Sequence, residues 1–293
     1  MRIKQTLYLL ATLLAMVISG CSKDSAEEGT YEHWTAGLVT IEVDDNFLYF
    51  VPAADGQGMM LTYDRTQMTF ERLVQMNGGV VDEDEGGTGM QGLLTYQGQV
   101  VIPSQVEGTP VTAIDQYAFS GNSQLLSVII PESVTEIGPE SFAQCPKLVT
   151  VTLPENIMEI KAGTFCGKSV QTIAIPDNVK QIGRFAFLKN TQLTSISFGA
   201  DSQLETLDAS AFSGCTALTE LTLPASVKSI GNQCFNGCSK LKTYHLKSTT
   251  PPAVTGSAAI LSSATIYIPV GSKNDYLNAE YWNTLDITKF VEE

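Results

Sequence analysis

A chain of 293 residues with 17 basic and 31 acidic side chains has a formal net charge of −14. That is the wrong sign for neutralising phosphates, so nucleic acid is excluded as the expected partner, and the acidity favours solubility and repels anionic surfaces. Only two histidines are present, and no H-E-x-x-H, G-x-S-x-G or phosphate-loop pattern occurs, which leaves hydrolytic and nucleotide chemistry without a motif.

The chain opens with the layout of an export signal: Arg2 and Lys4, an apolar run from Leu7 to Ile18, then the small residues Ser19 and Gly20. The run is too short to span a bilayer as a permanent helix. Ile18-Ser19-Gly20-Cys21 resembles the lipobox of bacterial lipoproteins, which implies lipidation of the Cys21 thiol and a mature chain beginning there. The plainer alternative is a secretory signal followed by an incidental cysteine. Residues 1–20 are thus expected to be a lipoprotein signal peptide, and their removal leaves 15 basic against 31 acidic residues, a net charge of −16. Acyl chains on one residue would anchor the protein without a second apolar segment, because each buried methylene adds about 0.8 kcal/mol of membrane affinity. Residues 21–35 read as a flexible polar tether. Lys23 followed by Asp24, Glu27 and Glu28 resembles the signal that sends lipoproteins of Bacteroidetes-type bacteria to the outer face of the outer membrane. The expected location is therefore the cell surface, with the membrane contacted through the N-terminal lipid only.

Residues 36–95 do not repeat and read as a β-rich N-terminal cap. Val39, Ile41 and Val43 alternate, Asp44 to Asn46 can turn, and Phe47 to Val51 supplies a second strand for a short antiparallel unit. Another apolar stretch covers Met59 to Tyr63, while Met68 to Met76 fits neither the strand nor the helix period. Gly78 to Gly89 is an acidic, glycine-rich loop in which Asp82 to Glu85 offers carboxylates to calcium. EF-hand spacing is absent there, and a solvated loop is the plainer reading. No metal site and no cofactor is expected.

From residue 96 to 247 the chain repeats. The segments Val111 to Ser133, Val134 to Asn156, Ile157 to Asn178, Val179 to Gln203 and Leu204 to Ser226 run 22 to 25 residues, and a sixth begins at Val227. They share V-x-x-I-G-x-x-A-F-x-x-C/N-x-x-L-x-x-I-x-I-P, shown in the second copy by Val134, Ile137, Gly138, Ser141, Phe142, Cys145, Leu148, Val151, Leu153 and Pro154. The ending alternates with the period of a strand and the part before it does not. One unit cannot bury its apolar side alone, so the copies must stack into a mainly β repeat solenoid. That predicts a parallel β-ladder on one face and irregular or short helical return arms.

Recurrent residues have physical tasks within the repeat. Proline at 103, 131, 154, 176, 224 and 269 lacks an N–H and closes the strand. Glycine at 138, 183 and 231 suits a turn of positive φ, which Asp115 and Asp208 can also adopt and Lys161 only reluctantly. The third repeat, one residue short, is expected to be distorted. Asn122, Cys145, Asn190, Cys215 and Cys238 each sit three places after a phenylalanine, at 119, 142, 187, 212 or 235. They read as a buried row of small residues in preference to ligands or disulfides. Cys166 and Cys234 fall off that row, and sequence leaves open whether either pairs.

Ala211 to Cys215 (A-F-S-G-C), Val227 to Gly231 (V-K-S-I-G) and Val151 to Pro154 (V-T-L-P) resemble BspA-type leucine-rich repeats. Beyond them, Thr250-Pro251-Pro252, Ala264 to Ser272 and Tyr276 to Trp282 resemble the closing segment of that family, so residues 248–293 are expected to cap the solenoid. The resemblance implies a surface protein that adheres to extracellular-matrix proteins and other cells.

No catalytic constellation is legible. His33 lies near the tether, and His245 stands alone on a strand between Tyr244 and Leu246, so the chain is not expected to be an enzyme. A hydrolase, the remote alternative, would need clustered carboxylates or a Ser-His pair in a cleft. What the pattern does supply is an outward ladder face: Ser127 and Ile129, Thr150 and Thr152, Thr172 and Ala174, Ser195 and Ser197, Glu220 and Thr222, Thr243 and His245. This hydroxyl-rich, nearly uncharged face is the expected ligand-facing surface, although serine and threonine also simply suit exposed strand positions. A protein partner is preferred over a glycan because the rows lack aromatic residues on which sugars stack. The alternative is a glycan-binding or envelope accessory lipoprotein for nutrient capture.

Overall fold

In a computed structural model, residues 48–52, 59–63, 98–102, 104–106, 109–122, 125–256, 260 and 263–293 are described. The alternating L-x-x-I-x-I ending of each repeat forms a strand of the first ladder. Its members are β3 (Gly98–Val101), β6 (Leu125–Ile129), β8 (Thr150–Thr152), β10 (Thr172–Ile175), β12 (Ser195–Phe198), β14 (Glu220–Leu223), β16 (Thr243–Leu246), β18 (Thr265–Ile268) and β19 (Phe290–Glu292). Parallel pairing in register sets Val100 beside Val128, Val128 beside Val151, Ile173 beside Ile196, Leu221 beside Tyr244, Tyr244 beside Ile266 and Ile266 beside Phe290. All of these side chains are buried, so the apolar half of every strand feeds one continuous core.

A second ladder, not anticipated from sequence, is built from two-residue strands at the V-x-x-I position. It comprises β5 (Thr109–Ile114) with β7 (Glu136–Ile137), then β9 (Glu159–Ile160), β11 (Gln181–Ile182), β13 (Thr206–Leu207), β15 (Ser229–Ile230) and β17 (Ala253–Val254), all parallel to their neighbours. Ile114, Ile137, Ile160, Ile182, Leu207 and Ile230 point inward and are at most 3% exposed. The proline after each main strand turns the chain between the ladders: Val134, Val179 and Val227 donate N–H bonds of 3.0–3.2 Å to the carbonyls of Pro131, Pro176 and Pro224.

The return arms are runs of turns with no helix, stitched coil to coil. The N–H groups of Tyr117, Phe119 and Gly121 donate to the carbonyls of Pro139, Ser141 and Ala143 one coil on, and the same three-bond pattern recurs at each step through Ser210, Phe212 and Gly214. Inside the arms the rings of Phe119, Phe142, Phe165, Phe187, Phe212 and Phe235 form one stack, with centroids 5.0–5.7 Å apart and planes within 22°. Each such contact adds about 0.5–1.5 kcal/mol to the burial of the ring.

The recurrent glycines serve a different end from the one expected. Gly138, Gly183 and Gly231 are absent from the positive-φ positions, as are Asp115, Lys161 and Asp208. A Cβ on Gly138 or Gly231 would lie 2.4 Å from the backbone nitrogen of Gln116 or Ala209, and one on Gly183 would lie 2.9 Å from that of Ala162. These glycines permit each even-numbered coil to press against the backbone of the coil before it. Positive φ occurs instead two residues before each stacked phenylalanine, at Tyr117, Glu140, Gly163, Phe185, Ser210 and Gln233. It recurs two residues after, at Gly121, Gln144, Gly167, Lys189, Gly214 and Gly237.

The short third repeat marks a fault in both ladders. Strand pairing is interrupted between β7 and β9 and between β8 and β10, and Lys161, which replaces the glycine, forms an ion pair with Glu136. The missing residue is absorbed before the strand, where Ser169, four places after Phe165, takes the inward place and its hydroxyl donates to the Cys145 carbonyl. A further interruption separates β12 from β14, beside the Gly199–Gln203 insertion of the 25-residue fourth repeat.

At the N-terminal end, β1 (Leu48–Pro52) pairs antiparallel with β2 (Met59–Tyr63), and β2 runs parallel to β5. Of the expected strand at Phe47–Val51, Leu48–Val51 is present and runs on to Pro52, with Met59–Tyr63 as its antiparallel neighbour; Phe47, 39–43, 44–46, 68–76 and the Asp82–Glu85 loop lie outside the described residues, as do Cys21 and His33. Residues 248–293 first extend both ladders through β17, β18 and β19. They then close the end with α1 (Lys273–Asn278) and an aromatic plug of Tyr276, Trp282 and Phe290. Trp282 Nε1 donates to the Pro252 carbonyl at 2.7 Å and the Tyr276 hydroxyl to that of Ser248 at 2.8 Å.

Candidate functional site

Along the first ladder the side chains between the inward residues face out. Thr150, Thr152, Thr172, Ala174, Ser195, Ser197, Glu220, Thr222 and Ile129 are exposed, and Ser127, Thr243 and His245 are half-buried. Register places them in two rows, Ser127 beside Thr150 and Thr172 beside Ser195 in one, Ile129 beside Thr152 and Ala174 beside Ser197 in the other. The rows continue past the positions expected from sequence. Thr265 and Tyr267 fall in line with Thr243 and His245, and Val291 with Tyr267. The T-I-Y-I-P of 265–269 carries the same x-I-x-I-P ending as the repeats, which was the signal available for them.

The face changes character along its length. At its first coils, Leu126 (46% exposed) and Ile129 (37%) present apolar surface. Leu126 sits outward because the β3 to β6 register slips by one residue there. The middle is small and hydroxylic. At the far end the His245 and Tyr267 rings stack at 4.6 Å with planes 10° apart, His245 Nδ1 lies 2.9 Å from the Glu293 carboxylate, and Lys247 donates to the same carboxylate at 2.8 Å. These two hydrogen bonds, Lys247's first, hold the Glu293 carboxyl below its usual range. These contacts order the end of the face.

The cysteines belong to the interior. Cys145, Cys215, Cys234 and Cys238 are buried, Cys166 is half-buried, and all five are free thiols. Cys145, Cys215 and Cys238 donate to the carbonyls of Phe119, Phe187 and Phe212 at 3.0–3.3 Å, and Asn190 Nδ2 donates likewise to that of Phe165 at 2.6 Å. Cysteine and asparagine both fit this row because each can donate to the phenylalanine carbonyl of the preceding coil. Burial pushes the Cys145 thiol up to about 12 and raises Cys234 and Cys166 as well. Cys166 and Cys234 do not pair: Cys234 fills the small position before Phe235, and Cys166 lies on the outer side of its arm. Among the described residues, no three His, Cys, Asp or Glu side chains gather as a metal site, and no helix is long and apolar enough to cross a membrane.

Residues 112–242 match the family model for the BspA type leucine-rich repeat region in six copies. No curated protein matches the chain. Similar solved structures include a leucine-rich repeat protein of T. pallidum, 25% identical, with 72% of this chain and 79% of that one covered and a TM-score of 0.41. A leucine-rich cell surface protein from Faecalibacterium prausnitzii A2-165 is 23% identical, with 78% and 57% covered and a TM-score of 0.47, so the chain spans little more than half of it. A leucine-rich repeat protein from Bacteroides ovatus ATCC 8483 is 20% identical, with 76% and 70% covered and a TM-score of 0.45.

Proposed function

We propose, from the match of residues 112–242 to the BspA type leucine-rich repeat region, that the chain is a non-catalytic interaction protein whose ladder face docks a protein partner. The observation that carries this reading is the face itself: two rows of short, exposed and almost uncharged side chains held on a rigid parallel ladder. Such a surface presents little side-chain entropy to be lost on binding, and its backbone is already ordered by the ladder. Glycan capture is the second reading. Tyr267 is the one aromatic residue on the outward rows among the described residues, and its ring is stacked on His245.

The same proposal holds the protein on the bacterial surface, adhering to host matrix or neighbouring cells. The signal-like residues 1–20 and the lipobox-like Cys21 support an exported, lipid-anchored form at the outer membrane. Replacing Cys21 with serine is expected to release the protein from the membrane fraction; unchanged fractionation would refute the anchor. The binding role is tested by presenting the full chain to a glycan array and to a panel of immobilised matrix proteins. The reading expects saturable binding to protein, and binding to glycans alone would overturn it.

A further inference from the structure

The corners on either side of the ladder face carry opposite charge. Where the chain comes up onto the face, residues 146–149, 168–171, 191–194, 216–219 and 239–242 contain Lys147, Lys168, Lys240 and Lys242, all exposed, and no acidic residue. Where it leaves, residues 131–133, 154–156, 176–178 and 199–203 contain Glu132, Glu155, Asp177 and Asp201 and no basic residue. Lys247, at the last such corner, is taken up by Glu293. Between them the outward rows carry only Glu220 and His245, with the Glu293 carboxylate held against His245 at the far end. A charge difference is thus laid across the ladder, parallel to the strands, at the β8 and β10 coils, while residues 191–194, 216–219 and 224–226 carry no charge.

Resting on the reading of this face as a docking surface, we infer that the partner it fits is a second copy of the chain. The two copies are related by a two-fold axis parallel to the solenoid axis. That rotation reverses the strand direction, so Lys147 meets Glu155 and Lys168 meets Asp177 of the other copy at the same height, while Lys240 and Lys242 come over the Lys247–Glu293 ion pair. The alternative two-fold, parallel to the strands, sets acid against acid and lysine against lysine, which costs energy and selects against it. In the favoured pairing the row of Ser127, Thr150, Thr172, Ser195, Glu220 and Thr243 lies over the row of Ile129, Thr152, Ala174, Ser197, Thr222 and His245. Glu220 then meets a threonine, not another carboxylate. The exposed Leu126 and Ile129 of both copies arrive at the same end and cover each other.

Nine strands span about 40 Å at about 4.8 Å per step, and a strip five residues wide adds about 17 Å. The contact offered is on the order of 650 Å² per copy before the corners are counted, close to the roughly 800 Å² per partner of a standard interface. An interface of this kind is self-complementary and closed.

Sedimentation equilibrium on the full chain tests it with two charge-reversed proteins, Lys147→Glu with Lys168→Glu, and Glu155→Lys with Asp177→Lys. The natural chain is expected to form a dimer that weakens as salt rises. Each variant alone should dimerise about tenfold or more weakly, and an equimolar mixture of the two should recover dimers, because the corners of β8 and β10 then again face opposite charge. Unchanged urea midpoints confirm that both variants fold. A chain that is monomeric at every concentration, variants that dimerise as the natural chain does, or a mixture that fails to recover would each overturn the proposal. A monomer that still binds another protein through the ladder face would leave the broader docking function standing.

Discussion

Replacing Gly138 with alanine would drive a methyl group to within 2.4 Å of the Gln116 backbone nitrogen, an atom that cannot move without shifting a whole coil. The expected cost is about 3 kcal/mol, the upper end of the overpacking range. At Gly214, where φ is +79° and the nearest atom to a new Cβ lies at 3.4 Å, the cost should be only the left-handed strain of about 1–2 kcal/mol. Urea midpoints of the two variants at unchanged slope distinguish them. The sequence showed that glycine was required at 138, 183 and 231 but not why, since a turn of positive φ and a close approach leave the same letter. The converse also holds: Tyr117, Glu140 and Phe185 occupy positive φ without any signal in their identity, because the N–H bonds between arms impose that geometry on whatever residue is there.

The buried thiols give the fold an alkaline limit at the same scale. Cys145 rises from about 9 to about 12 through burial, and Cys234 rises for the same reason. Below pH 9 both folded and unfolded chains hold these protons. Above it the unfolded chain releases them first, so it binds fewer protons and stability falls as pH climbs towards 12. Cys145→Ala should lose less stability across that interval in urea titrations than the natural chain does; an equal loss would contradict the assignment.

At the level of elements, the main strands were legible because an alternating pattern is a two-residue signal repeated at each coil. The second ladder was not: a two-residue strand such as Glu159–Ile160 has no period to detect, and its V-x-x-I frame reads equally well as a turn. The fault at the third repeat was visible as a missing residue, but only contacts show Ser169 stepping into the inward row. The phenylalanine stack is the element whose loss should matter most. Phe187 is fully buried between Phe165 at 5.4 Å and Phe212 at 5.1 Å, so Phe187→Ala is expected to cost about 3–5 kcal/mol, measured by denaturant unfolding. A loss under about 1 kcal/mol would mean that the arms do not depend on the stack.

For the whole molecule, the repeat made both the solenoid and its outward face readable in advance, since strand alternation alone assigns Thr152 and Thr222 to the outside. The opposed charges at its two edges needed the coils to be aligned in space, because Lys147 and Glu155 are adjacent to no common motif. The most direct measurement is binding of the full chain to the panel of immobilised matrix proteins, compared with a Thr152→Glu, Thr222→Glu double variant. Both side chains are exposed on the ladder, and neither contributes to the core. The account predicts that the variant keeps its urea midpoint and loses binding by about tenfold or more. Undiminished binding by a folded variant would contradict the placement of the docking site on the ladder face.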